Sequence, residues 1–203
     1  MIYLKHFILL LVFAIPQTQD DPLRILFFGD SLTAGYGLSE EQAFPAIVER
    51  RLNRNGGNVE VINAGLSGET SAGGNSRIEW ILRQPIDVLV LELGANDGLR
   101  GLPLEQTRNN LQSIINKTTA KYPDVKIIIA GMQVPPNLGP DYTSEFRKIF
   151  PELAKKNNAI LIPFLLDGVA GDESLNLPDG IHPNPEGHKI VAENVLEALQ
   201  KAL

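Results

Sequence analysis

Five short apolar runs, nearly uninterrupted, punctuate this chain: Leu23–Phe28, Val59–Asn63, Ile86–Leu93, Val125–Ala130 and Ala159–Pro163. A strand with one wet face alternates apolar and polar residues. A run without that alternation suits a strand covered on both faces, as in parallel sheets. Between the runs the pattern turns helical. Phe44–Arg54 has Pro45 near its start and Gly56 just past its end, matching the preferences of helix boundaries. Leu104–Tyr122 places Leu104, Leu111, Ile115 and Thr118 on one stripe. Glu145–Asn157 and Glu186–Leu203 supply two more helices, and a shorter one is predicted over Asn75–Arg83. Strand–helix alternation predicts an α/β fold with a parallel sheet and right-handed crossovers. No repeat, low-complexity tract or linker divides the chain, and 203 residues suit one domain with a sizeable core.

The first twenty residues read differently. Lys5 and His6 precede the apolar stretch Phe7–Ile15, which is too short for a membrane span of roughly 20 residues. It fits the apolar region of a secretory leader. Residues 1–20 are therefore read as a leader, cleaved between Pro16 and Asp21, and residues 21–203 as the domain. The expected location is periplasmic or extracellular, with no membrane span in the mature chain. The absence of cysteine excludes disulfides, thiolate catalysis and Cys-ligated zinc. A net charge of −6 argues against a nucleic-acid partner held through phosphates.

Four segments carry chemistry. Gly29-Asp30-Ser31-Leu32-Thr33-Ala34-Gly35 follows the first apolar run directly. A glycine there allows a sharp turn and leaves a serine at the strand's carboxyl end, where ligands bind in open α/β sheets. That hydroxyl can become a nucleophile if a base reaches it, or the segment can be a plain helix-capping turn. Asp179-Gly180-Ile181-His182-Pro183-Asn184 lies before the last helix, with Asp179 and His182 spaced so that the carboxylate can hold the imidazole in one tautomer. Gly65-Leu66-Ser67-Gly68-Glu69-Thr70 and Gly94-Ala95-Asn96-Asp97-Gly98 each follow a strand. A glycine N–H and an asparagine amide are donor types that an oxyanion hole uses.

These four segments, in this order, resemble the GDSL or SGNH hydrolase family, over essentially all of the chain after residue 22. Residues 94–101 are most similar to the bacterial thioesterase/arylesterase/lysophospholipase branch. The resemblance implies a three-layer, flavodoxin-like fold with a five-stranded parallel sheet of order 2-1-3-4-5 and helices on both faces. It also implies that Ser31 is the nucleophile, with Asp179 and His182 completing a triad. The Ser31 N–H, Gly68 and Asn96 would form the oxyanion hole. No cofactor and no metal are expected. The substrate would be a small acyl ester or thioester, such as an aryl ester, an acyl-CoA or a lysophospholipid, handled by a monomer.

Alternatives stand beside this reading. A carbohydrate O-acetylesterase of the same family would use the same residues, and a silent flavodoxin-like module could use the same loops to cradle an anion or a sugar. No Gly-x-Gly-x-x-Gly follows the first strand, which disfavours dinucleotide binding. Asp30 either stiffens its turn or enters catalysis, and Asp97 can serve a turn or cap. His188 is expected to be a solvated helix residue. Trp80 and the phenylalanines are expected in the core or a pocket wall. Leu99 and Leu102, on the Gly/Pro-bearing segment 98–103, either line an acyl groove or belong to a plain connection.

Overall fold

The computed structural model describes residues 21–54 and 56–203. The expected leader lies outside the described residues. The strands are β1 (Leu23–Gly29), β2 (Val59–Gly65), β3 (Val88–Glu92), β4 (Lys126–Ala130) and β5 (Ile160–Ile162), in one sheet of order β2-β1-β3-β4-β5. All pairings are parallel, and β1 is hydrogen-bonded to β2 on one edge and to β3 on the other. Among the described residues the α-helices are α1 (Ser31–Ala34), α2 (Phe44–Arg54), α3 (Ser71–Ile81), α4 (Ala95–Leu99), α5 (Leu104–Lys121), α6 (Pro140–Lys156) and α7 (Pro185–Ala202).

Two groups of helices enclose the sheet: α2 packs on α7, while α3 packs on α5 and α5 on α6. Ile25, Leu26, Phe27 and Phe28 of β1 are all fully buried, which is why that run shows no alternation. Burying each such side chain contributes roughly 1.5–3 kcal/mol. With β1 flanked by β2 and β3, its carboxyl end opens between theirs, and those three ends carry the conspicuous polar residues.

The helix starts show where the sequence pattern was incomplete. Helix α3 begins at Ser71, four residues before its predicted start, because the Thr70 hydroxyl caps it by accepting from Gly73 N–H. Gly74, inside this helix, is there for space: a Cβ would lie 2.4 Å from Leu93 Cδ1. Helix α6 begins at Pro140 rather than Glu145, with proline at its first position. Asn184 caps α7, its side chain accepting from the N–H groups of Glu186 and Gly187.

Two expectations are corrected. His188 is buried, not solvated. It sits on the face of α7 that meets α2, where its Nδ1 accepts the Phe44 N–H at 3.1 Å and its ring stacks on Phe44. Burial holds it neutral, with the pKa lowered to about 4. Trp80 is 63% exposed on α3 and lies outside the core. The phenylalanines at 27, 28, 44, 146 and 150 are in the core as expected.

Candidate active site

Gly29 ends β1 at a place that admits no side chain. A Cβ there would lie 2.1 Å from Thr33 Oγ1 and 2.4 Å from Glu92 Oε2. The chain turns at Asp30, which caps α1 by accepting the Leu32 N–H on Oδ1 at 3.0 Å. Ser31 is therefore the first residue of a one-turn helix. The other Asp30 oxygen accepts from Asn96 Nδ2 at 3.0 Å, so this aspartate couples its own turn to the one after β3.

Beneath the turn lies Glu92, the last residue of β3 and fully buried. Its Oε2 accepts the Asp30 N–H at 3.1 Å and the Thr33 hydroxyl at 2.8 Å. Burial, and then the neighbouring Asp30 charge, push Glu92 well above the usual carboxylate range. Burial also raises Asp30 to about 6, opposed by the Leu32 N–H and Asn96 amide bonds and by nearby His182. Of this pair, Glu92 is the more deeply buried and the more strongly driven toward its neutral form. Asp30 remains the acceptor for the asparagine.

The His182 segment approaches from the other side. Asp179 Oδ1 accepts the backbone N–H of Ile181 at 2.9 Å and of His182 at 3.0 Å, closing the loop on itself. Its Oδ2 stands 2.7 Å from His182 Nδ1, and His182 Nε2 stands 2.8 Å from Ser31 Oγ. The backbone donors, chiefly the His182 N–H, hold Asp179 down at about 2 despite some desolvation. An ionised Asp179 requires the proton on Nδ1, which leaves Nε2 to accept from the serine hydroxyl.

The loop after β2 supplies the third wall. Gly68 has φ +78°, in the left-handed region. Its N–H donates to no partner among the described residues. Its carbonyl accepts from Arg100 Nη2 at 3.0 Å. Next to it, Glu69 is buried and paired with Arg77, which also donates to the Ala64 carbonyl and lies over the Phe28 ring. This clamp anchors the loop to α3 and β1. Asp97 points away from the site. It accepts from the Ser71 N–H, the Ser71 hydroxyl and the Thr107 hydroxyl, tying α4 to α3 and α5.

A cavity of about 690 Å³ opens beside Ser31. Leu99 lines it and Leu102 does not. Helix α4, absent from the sequence expectation, turns the chain so that Leu102 N–H bonds the Asp97 carbonyl and Tyr142 Oη holds the Leu102 carbonyl. Much of the apolar wall comes from residues that no sequence motif singled out, Met132, Val134 and Pro135 after β4 and Leu166 after β5, together with Phe164, a phenylalanine in a pocket wall as expected. For the first four the only sequence signal is position, since each follows the carboxyl end of a strand. Among the described residues, no group of three or more His, Cys, Asp and Glu side chains is arranged to hold a metal, and no helix is long and apolar enough to cross a membrane.

A parallel sheet of this order, with an Asp–His–Ser chain across its carboxyl edge, is the architecture of a serine hydrolase. The sequence model of the GDSL-like Lipase/Acylhydrolase family matches residues 27–190, and the chain belongs to that family. It is 38% identical over 180 residues to Esterase TesA of Pseudomonas aeruginosa, covering 88% of this chain and 89% of that protein. It is 35% identical over 196 residues to Thioesterase 1/protease 1/lysophospholipase L1 of Escherichia coli strain K12, covering 96% of this chain and 90% of that one. A crystal structure of TesA superposes with a TM-score of 0.84 at 38% identity, covering 89% of this chain and 99% of that one. The protein is a hydrolase of ester bonds.

Proposed function

We propose that this protein is a serine esterase and thioesterase that works through an acyl-enzyme on Ser31. The observation that carries the reading is the hydrogen-bonded chain from Asp179 through His182 to Ser31 Oγ, with Asn96 fixed beside it by Asp30. His182 Nε2 takes the hydroxyl proton as Oγ bonds to the acyl carbon. The carbonyl oxygen becomes an oxyanion, met by the Ser31 and Gly68 N–H groups and the Asn96 amide. Asp179 stabilises the imidazolium. The tetrahedral species then collapses. The bond to the leaving oxygen or sulfur breaks, and His182 delivers its proton to that atom. Water, deprotonated by the same imidazole, attacks the acyl-enzyme and releases the acid and free Ser31.

The apolar cavity beside Ser31 is the acyl site in this reading, with Leu99 and Phe164 among its walls. Acyl chains longer than acetyl would gain from it, at up to about 0.8 kcal/mol per buried methylene. Candidate substrates are aryl esters, acyl-CoA and lysophospholipids. The basic start and apolar stretch of residues 1–15 support export, with the leader removed.

A panel of p-nitrophenyl esters and acyl-CoA of rising chain length tests the reading, beside fluorophosphonate labelling. Specificity should climb from acetyl to medium chains, and the label should map to Ser31 and vanish in Ser31→Ala. An adduct on another serine would remove Ser31 from the mechanism. If acetylated sugars are the best substrates and longer chains are refused, the protein is a carbohydrate O-acetylesterase instead.

A further inference from the structure

Tyr36 lies outside every motif above, yet its ring packs on the imidazole of His182, with centroids 4.5 Å apart and planes inclined by 37°. Its backbone is tied to the nucleophile. Gly35, left-handed at φ +73°, ends α1, and this lets the Tyr36 N–H bond the Ser31 carbonyl at 3.0 Å. Neither flanking glycine can be replaced freely. A Cβ on Gly35 would lie 2.6 Å from Ala43 Cβ, and one on Gly37, at φ +79°, would lie 2.9 Å from Leu177 Cδ1. Leu177 in turn donates its N–H to the His182 carbonyl at 2.7 Å. The chain leaving α1 thus runs close against the loop that carries the histidine, and the tyrosine ring packs on a face of the imidazole, away from its two ring-nitrogen contacts.

Asp179 and Ser31 restrain the imidazole within its own plane, at Nδ1 and Nε2. Neither resists tilting out of that plane. An aromatic face also attracts a cation, so it favours the imidazolium over the neutral ring. We propose that Tyr36 is a positioning residue for His182, holding the ring coplanar with its two partners and stabilising the imidazolium that forms as Ser31 attacks. The proposal rests on His182 acting as the base. The other charged or titratable groups facing His182 are Asp179 on its own loop, Asp30 before α1 and His188 on α7. Tyr36 is half exposed, so its replacement leaves the core intact.

The test compares Tyr36→Phe, Tyr36→Leu and Tyr36→Ala, with kcat and KM measured against pH and the His182 ring titrated directly by NMR, its resonance assigned from His182→Ala. Phenylalanine keeps the aromatic face and should keep the parent's values. Leucine keeps bulk without the face, so leucine and alanine should both lose about two- to fivefold in kcat, at little change in KM. The His182 titration should move to lower pH by about half a unit in both. A leucine variant that matches phenylalanine in rate and titration would show the contact to be simple packing and overturn the proposal. So would a rise in KM at constant kcat, which would make Tyr36 a substrate contact. Failure of the underlying reading is distinct: His182→Ala would then retain activity whatever the Tyr36 variants do.

Discussion

Asp30 and Asp179 flank the same serine–histidine pair, and their surroundings drive them in opposite directions. Asp30 is buried over Glu92 and raised to about 6. Asp179 sits on an open loop, takes two backbone N–H groups and is lowered to about 2. The β1 side of the site is dry and fixed by buried polar bonds among Asp30, Thr33, Glu92 and Asn96. The histidine side is wet and fixed by a self-closed turn and by the Tyr36 ring. Each half suits the task that the proposed mechanism gives it. Oxyanion donors must not reorganise as charge develops, which favours a rigid, desolvated setting. The carboxylate behind a base must stay ionised across the working range, and near water that needs only a few well-placed donors.

The largest effect expected from breaking this contrast falls on the wet side. Asp179→Asn keeps the shape but loses the charge that fixes the imidazole tautomer. kcat should fall by about 10³–10⁴, with the fold intact by circular dichroism. A loss below tenfold would mean that another group orients His182.

On the dry side, Asn96→Ala should cost about 10²–10³ in kcat. Asp30→Asn should cost less, about tenfold, because Asn96 keeps a neutral acceptor in place of a charged one. Asp30 is ionised above about 6 and protonated below it. The parent's kcat should therefore carry an acid inflection near that value, and the variant should lack it. Equal pH profiles in parent and variant would detach Asp30 from any effect through Asn96.

Stability against pH separates the two buried titrating sites. His188 titrates at about 4 in the folded chain and near 6.5 unfolded. Between those values the unfolded chain binds the extra proton, so this group's contribution is complete above about 6.5 and is lost as pH falls to about 4. Asp30 has the opposite sign. It is raised from 3.8 to about 6, so the folded chain binds the extra proton and stability is lost as pH rises through that window. Relative to the parent, His188→Gln should become less stable with rising pH, and Asp30→Asn more stable. Each difference should span about 3 kcal/mol by chemical denaturation. Two differences of the same sign would be incompatible with these buried charge states.

The smallest effect concerns the cavity. Leu99→Ser should flatten the rise in kcat/KM with acyl length and leave acetyl ester hydrolysis nearly unchanged, whereas Leu102→Ser should leave both as in the parent. Equal effects from both would place the acyl chain outside the cavity.

Much of the architecture was legible because burial on both faces writes itself into composition. The β1 run, Leu23–Phe28, has no polar alternation, and four of its residues are fully buried. With strands alternating with helices, the sheet order expected from the family resemblance is the order observed. The motif segments were legible too, since strand ends marked where Ser31, Gly68 and Asn96 would emerge. Helix α4 was missed because five residues containing an internal glycine carry no periodicity. His188 was misjudged because a polar residue within a helix gives no sign of what packs against it.

The sequence by itself determined the α/β class, the strand order through family likeness, and which residue types stand at the carboxyl edge. These follow from local pattern: apolar continuity, helix period and turn chemistry depend on near neighbours. Tertiary structure alone decided that Asp30 holds Asn96, that Glu92 is pushed toward its neutral form, that Leu99 faces the cavity while Leu102 does not, and that Tyr36 packs on His182. Each of these depends on residues far apart in the chain, 66 positions in the case of Asp30 and Asn96. Desolvation and through-space contact set their chemistry, and neither is a property of a residue's sequence neighbours.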